Sequence, residues 1–160
     1  SEMCIRDRDI LPAYRKIQNG QIFSFRLRAN PTKRVAKDDD VMKGKRVELR
    51  REDEQLEWLI RKGKSGAGSF DILMKKTINE EGKELLIPRV EVNIEGKQVG
   101  QKRKSGTTTH FAVIFDGLLR IKDKDAFLET IIRGIGSSKA FGFGLVSIAP
   151  INTIESEEVI

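Results

Sequence analysis

The 160-residue sequence predicts an α+β fold: one antiparallel sheet backed by two helices. Three observations point there. Apolar residues alternate with polar ones in runs near both ends and in the middle of the chain, the pattern of half-buried strands. Two other stretches carry apolar residues at i, i+3 and i+4, the pattern of a helix with one buried face. The length suits one ordinary domain, with or without a fragment of a second.

Taken in order, Ser1–Arg8 shows no periodicity and no initiating methionine, and it reads as translated adaptor sequence. Residues 1–20 are expected to be this leader plus the remnant of a preceding domain or linker. The domain proper is expected over 21–150, with an acidic tail over 151–160. Gln21–Ala29 reads as the first strand. Phe23, Phe25, Leu27 and Ala29 should face the core, with Arg26 and Arg28 on the other side. Asn30-Pro31 ends it, because proline cannot extend a central strand. Thr32–Val47, basic but containing Asp38, Asp39 and Asp40, is expected to be a mobile loop.

Arg51–Arg61 reads as the first helix. Leu56, Leu59 and Ile60 form its stripe, acids at 52–54 lie near its start, and Arg61, Lys62 and Lys64 lie near its end, as the helix dipole favours. Gly63 and Gly66 to Gly68 are expected to stop it. Strand-like runs follow at Phe70–Ile78 and, after a turn at Asn79–Lys83, at Leu85–Ile94. A basic, glycine-bearing connection over Glu95–Thr109 leads to His110–Ile121. Asp123 should cap a second helix, Lys124–Arg133, whose apolar residues are Phe127, Leu128, Ile131 and Ile132. Gly134 closes it. With Phe70–Ile78 set aside as an additional hairpin, the order is βαββαβ. That is the ferredoxin-like layout, shared by RNA-recognition (RRM-like) domains.

The last stretch, from Gly134 to Pro150, is the one around which the chain is organised. Gly134 and Gly136 open a loop that reaches Lys139. An apolar strand is expected to follow, with Gly142 and Gly144 on one face and Phe141, Phe143 and Leu145 on the other. Glycine inside a strand marks close approach of another backbone or a ligand, so bare backbone beside Lys139 is a candidate surface for a phosphate chain. Lys139-Ala140-Phe141-Gly142-Phe143 partly echoes the basic-aromatic signature of RNA-recognition domains, although core positions for Phe141 and Phe143 are the stronger reading. Neither Gly63-Lys64-Ser65 nor Gly134-x-Gly136 completes a nucleotide-binding motif. The first lacks the earlier glycine, and the second follows a helix where it should follow a strand.

Composition narrows the function. The formal charge is +6, and the tail holds Glu155, Glu157 and Glu158 with no base, so the body is more basic than the whole. A polyanion partner fits, nucleic acid first. Lys102-Arg103-Lys104 before Ser105-Gly106 reads as a cationic hairpin tip suited to a phosphate backbone. His110 is the only histidine and reads as structural. No Cys/His cluster suggests a metal, and no cofactor is implied. No apolar run approaches the roughly 18 residues of a membrane span, and no signal peptide opens the chain. Cys4 stands alone, so a reducing cytoplasm is the expected setting.

These residues resemble a known family, the CasE endoribonucleases, which process CRISPR repeats as a subunit of the Cascade surveillance complex. The resemblance is carried by Phe25 through Arg34 (Phe-Arg-Leu-Arg-Ala-Asn-Pro-Thr-Lys-Arg), Gly44-Lys45-Arg46-Val47, and Gln55-Leu56-Glu57-Trp58-Leu59. It continues in Phe115-Asp116-Gly117-Leu118-Leu119-Arg120-Ile121, in Gly134 through Leu145, and in the closing Leu145 to Pro150. It implies that this chain is similar to the second of two ferredoxin-like domains. It also implies recognition of a repeat hairpin in precursor CRISPR RNA, and metal-independent cleavage by 2′-hydroxyl attack that leaves a 2′,3′-cyclic phosphate. Other Cascade subunits are implied partners, with a monomer outside the complex and no membrane. Expected RNA-binding residues are Lys102, Arg103, Lys104, Arg26, Arg28, Lys33, Arg34 and Lys139, with Gly134, Gly136, Gly142 and Gly144 in the glycine-rich loop. The family's catalytic histidine lies on the first helix of an N-terminal domain that this chain is expected to lack. No catalytic residue is assigned, and the chain alone is expected to be inactive. Two alternatives stand beside this: a general RRM-like RNA-binding module without nuclease activity, and a structural subunit of a ribonucleoprotein.

Overall fold

A computed structural model describes residues 16–37, 40–65, 69–102 and 106–151. At its centre lies β1 (Ile22–Ala29), flanked by β8 (Gly106–Ile121) and β9 (Leu145–Pro150), both antiparallel to it. The far edge of β8 is shared by β4 (Phe70–Ile72) near one end and β7 (Val90–Lys102) along the rest. Together β4 and β7 fill the place of one edge strand, and the sheet is the ferredoxin-like one. The inward set of β1 is Phe23, Phe25, Leu27 and Ala29, all buried, because the side-chain period of two sends alternate residues to one face.

Helices α1 (Glu52–Lys64) and α2 (Lys124–Arg133) cover that face. Trp58 of α1 stacks on Phe115 of β8 at 6.0 Å between ring centroids, and Phe127 of α2 meets Phe70 of β4 edge-on at 6.1 Å. The α2 boundaries match the sequence reading, with the Asp123 carboxylate accepting from the N–H groups of Asp125 and Ala126. Ile132 of that helix is exposed, however. In α1 the buried residues are Gln55, Trp58, Leu59 and Gly63; of the expected stripe Leu59 is buried, while Leu56 and Ile60 are half-buried. Gly63 does not stop the helix: a methyl there would strike the Phe70 carbonyl, so glycine permits close approach to β4. Ile17, upstream of β1, is also part of the core.

Three connections differ from expectation. Residues 32–47 form a hairpin, β2 (Thr32–Lys37) with β3 (Asp40–Glu48), not a loop. Its alternation is hidden because no residue of 32–35 or 44–48 is buried, and Val35 and Val47 are exposed. Asp38 and Asp39 lie outside the described residues. Phe70–Ile78 is split at Leu73, whose N–H reaches the Leu118 carbonyl while its own carbonyl accepts from Arg89 N–H. Beyond that point β5 (Met74–Ile78) leaves the main sheet and pairs with β6 (Glu84–Pro88). Of the expected connection Glu95–Thr109, residues 95–102 and 106–109 belong to two long strands, β7 and β8, paired as far as Lys102↔Gly106, and residues 103–105 lie outside the described residues.

The last correction concerns the glycine stretch. Residues Lys139–Phe141 make a 3₁₀ turn, and Gly142 and Gly144 have φ of 85° and 87°. Such angles exclude a strand, so the two glycines do not share a strand face, and β9 starts only at Leu145. No helix among the described residues is long and apolar enough to cross a membrane.

Candidate nucleic-acid interface

The loop from Gly134 to Gly144 is held at several points. Gly134 N–H donates to the Thr130 carbonyl at 2.8 Å, ending α2. Ile135 N–H donates to the Gly144 carbonyl at 2.8 Å, and Gly144 N–H donates to the Arg28 carbonyl at 2.7 Å. Asn30, buried at the end of β1, anchors the middle. Its Nδ2 donates to Ser138 Oγ at 3.1 Å, and its backbone carbonyl accepts from Ser137 Oγ at 3.0 Å. Ser138 Oγ also lies 2.8 Å from His110 Nδ1, which gives the lone histidine a positioning contact. At Gly136, with φ of 87°, a Cβ would sit 2.8 Å from the Trp58 ring. The loop thus lies directly on the core and cannot drift from it.

One flank of this loop borders two cavities that meet at Lys62 and Gly136. The larger, about 400 Å³, is lined by Lys33 and Arg34 of β2, Arg46 of β3, and Arg61 and Lys62 of α1. The smaller, about 160 Å³, is lined by Lys62, Arg133 and Lys139 with Ser65 and Thr130. Among the described residues no carboxylate lines either one. The electrostatics register this crowding. Burial pushes the Lys62 ammonium below the ordinary lysine range, and the charges of Arg61, Lys139 and Arg46 push it further. Like charges brought together and partly desolvated are relieved by an anion. Acids stand only at the margins. Glu54 and Glu57 line a neighbouring cavity of about 150 Å³ beyond Trp58, and Glu129 lies 3.9 Å from Arg133.

Of the residues expected from sequence, Lys33, Arg34, Lys139, Gly134 and Gly136 converge on this groove. Arg26 and Arg28 lie on the opposite, open face of the sheet, each forked onto a carboxylate. Arg26 holds Asp116 at 2.7 and 3.3 Å, and Arg28 holds Glu95 at 3.1 and 3.2 Å. Lys102 closes the β7–β8 ladder, while Arg103 and Lys104 lie outside the described residues. Phe143 is buried and Phe141 half-buried. Sequence reasoning missed Arg46, Arg61, Lys62, Arg133 and Asn30. The signal for Arg61 and Lys62 was present but was absorbed by the helix-dipole argument. Among the described residues no group of His, Cys, Asp or Glu could hold a metal ion.

Comparison with known proteins places this geometry. A family model described as "CRISPR associated protein" matches residues 3–150, beginning within the stretch that reads as foreign. The CRISPR-associated endoribonuclease Cse3 of Thermus thermophilus is 35% identical over 140 residues, covering 87% of this chain and 61% of its own length. The CRISPR system Cascade subunit CasE of Escherichia coli is 32% identical over 142 residues, covering 85% of this chain and 62% of its own. Among solved structures, Cse3 bound to a 19-nucleotide RNA superposes with a TM-score of 0.60 at 36% identity, over 84% of this chain and 58% of that one. Escherichia coli Cas6e gives 0.57 at 30% identity, over 85% and 64%. The chain therefore spans about three fifths of the length of the curated relatives it matches.

Proposed function

The chain belongs to the CRISPR-associated protein family, and on that premise we propose that it is the RNA-gripping part of a CasE-type endoribonuclease. Its substrate is the repeat hairpin of precursor CRISPR RNA, and the groove between the β2–β3 hairpin, the end of α1 and the glycine loop tracks the phosphate backbone. One observation carries this reading. Among the described residues seven cations, Lys33, Arg34, Arg46, Arg61, Lys62, Arg133 and Lys139, and no carboxylate line two cavities that meet at Lys62 and Gly136. Phosphate contacts supply most nucleic-acid affinity, and arginine forks suit phosphate oxygens. The open sheet face is the weaker candidate, because two of its arginines, Arg26 and Arg28, are already paired with Asp116 and Glu95.

Within the complete activity, cleavage proceeds by attack of a 2′-hydroxyl on the adjacent phosphate, leaving a 2′,3′-cyclic phosphate. We assign no catalytic residue among those described, whose part is to hold the stem in register. The partners on this reading are the repeat RNA and other Cascade subunits, in the cytoplasm. The test is a gel shift of this chain with a CRISPR repeat hairpin against an unrelated stem of equal length at matched salt. Tighter binding of the repeat hairpin is expected. Equal binding of the two would remove the specific claim.

A further inference from the structure

On the far flank of the same loop is another cavity, and it has a different chemistry. It measures about 140 Å³ and is lined by Arg28, Gln98, His110, Phe141 and Phe143. The aromatic rings gather tightly: His110 lies 4.5 Å from Phe141 and 5.5 Å from Phe143, centroid to centroid. The Arg28 guanidinium sits 4.9 Å above the Phe143 ring. Gly100 of β7 makes room for this cluster, since a Cβ there would come within 2.6 Å of Phe141.

From this arrangement we propose that the pocket receives one unpaired nucleobase of the bound RNA. Phosphate is not the fit, because Arg28, the one lysine or arginine lining the cavity among the described residues, is already paired with Glu95. What the walls offer is flat aromatic surface beside groups that can read the edge of a base. Bases splayed out of single strands are stacked on aromatic rings and arginine planes and hydrogen-bonded along their edges. The Gln98 amide carries both a donor and an acceptor. Its Nε2 donates to the Glu95 carbonyl across a long 3.4 Å, a contact that a base edge can replace.

Position supports the same assignment. His110 reaches Ser138 Oγ, in the loop whose Gly136 and Lys139 border the cationic groove. Gln98 and Gly100 lie on the strand that runs to Lys102 at the end of the β7–β8 hairpin. An RNA backbone held in the groove thus has this pocket one loop-width away. The proposal rests on the RNA reading above and adds a base-specific subsite to it.

The test is an abasic scan of the unpaired nucleotides flanking a repeat hairpin, measured by filter binding to the full chain at fixed salt. One position should be sensitive, with loss of its base weakening binding roughly five- to 150-fold, the range of a single base–aromatic stack. In Phe141→Ala the same base deletion should cost almost nothing, and in Gln98→Ala it should cost less than in the wild type, while the dependence of binding on salt stays unchanged in both. If no unpaired position is sensitive, or if the penalty persists undiminished in both variants, the pocket does not hold a base. Failure of the intact hairpin to bind at all would instead overturn the RNA reading itself.

Discussion

Replacing Lys62 with methionine separates the role of the groove from its role in the fold. The long apolar side chain preserves helix propensity and cover over Trp58, above whose ring the Lys62 ammonium lies at 5.7 Å. If all seven groove cations meet phosphates, log K should fall with log salt at a slope of about −5 to −6, and losing one should flatten it by about 0.7–0.9. Extrapolated from 1 M salt, that is about a five- to eightfold loss of affinity at 0.1 M. Stability should not follow. The variant gives up a cation–π contact of about 0.5–1 kcal/mol but removes an ammonium disfavoured by burial and by Arg61, Lys139 and Arg46. The sign with pH is fixed by linkage. Because the folded chain releases the Lys62 proton more readily than the unfolded one, wild-type stability should rise relative to Lys62→Met as pH climbs toward 10.5. The assays are RNA titrations at several salt concentrations and thermal melts at neutral and alkaline pH. An unchanged salt slope would place Lys62 outside the interface, and a melting point that drops sharply would show it to be structural.

Other substitutions discriminate between parts of the structure. Gly136→Ala combines a left-handed φ with a Cβ 2.8 Å from Trp58, and thermal melting should show a loss of about 1–3 kcal/mol. Asp123→Ala removes the side-chain acceptor for two N–H groups of α2 and should cost about 1 kcal/mol in a denaturant titration. Arg26→Gln breaks an exposed ion pair with Asp116 and should change stability by about 1 kcal/mol or less. In an RNA titration it should leave affinity close to that of the wild type, whereas Arg61→Gln should weaken it.

The parts of the fold that show a clean period were legible. The Phe23–Ala29 alternation placed β1, and Asp123 with the Phe127/Ile131 spacing placed α2 to the residue. The β2–β3 hairpin was not legible, because a ribbon exposed on both faces has no apolar side to betray its register. The glycine stretch misled for a related reason. Apolar residues at 141, 143 and 145 mimic a strand, while the backbone at Gly142 and Gly144 takes angles that only the fold reveals. For the groove, sequence supplied Lys33, Arg34 and Lys139 but not their neighbours. Arg46, Arg61 and Arg133 sit on separate elements, and nothing in the spacing of residues 46, 61 and 133 says that the hairpin, α1 and α2 bring them together. Asn30 read as a strand terminator, and its second task, holding Ser137 and Ser138, depends on a loop more than a hundred residues away.

The most direct check is RNA–protein crosslinking of the wild-type chain bound to a CRISPR repeat hairpin, with the crosslinked peptides identified by mass spectrometry. Adducts should fall on the end of α1 around Arg61 and Lys62, on the β2–β3 hairpin, and on the loop from Gly134 to Gly144. Adducts confined to the open sheet face around Arg26 and Asp116, with the groove peptides unmodified, would contradict the account.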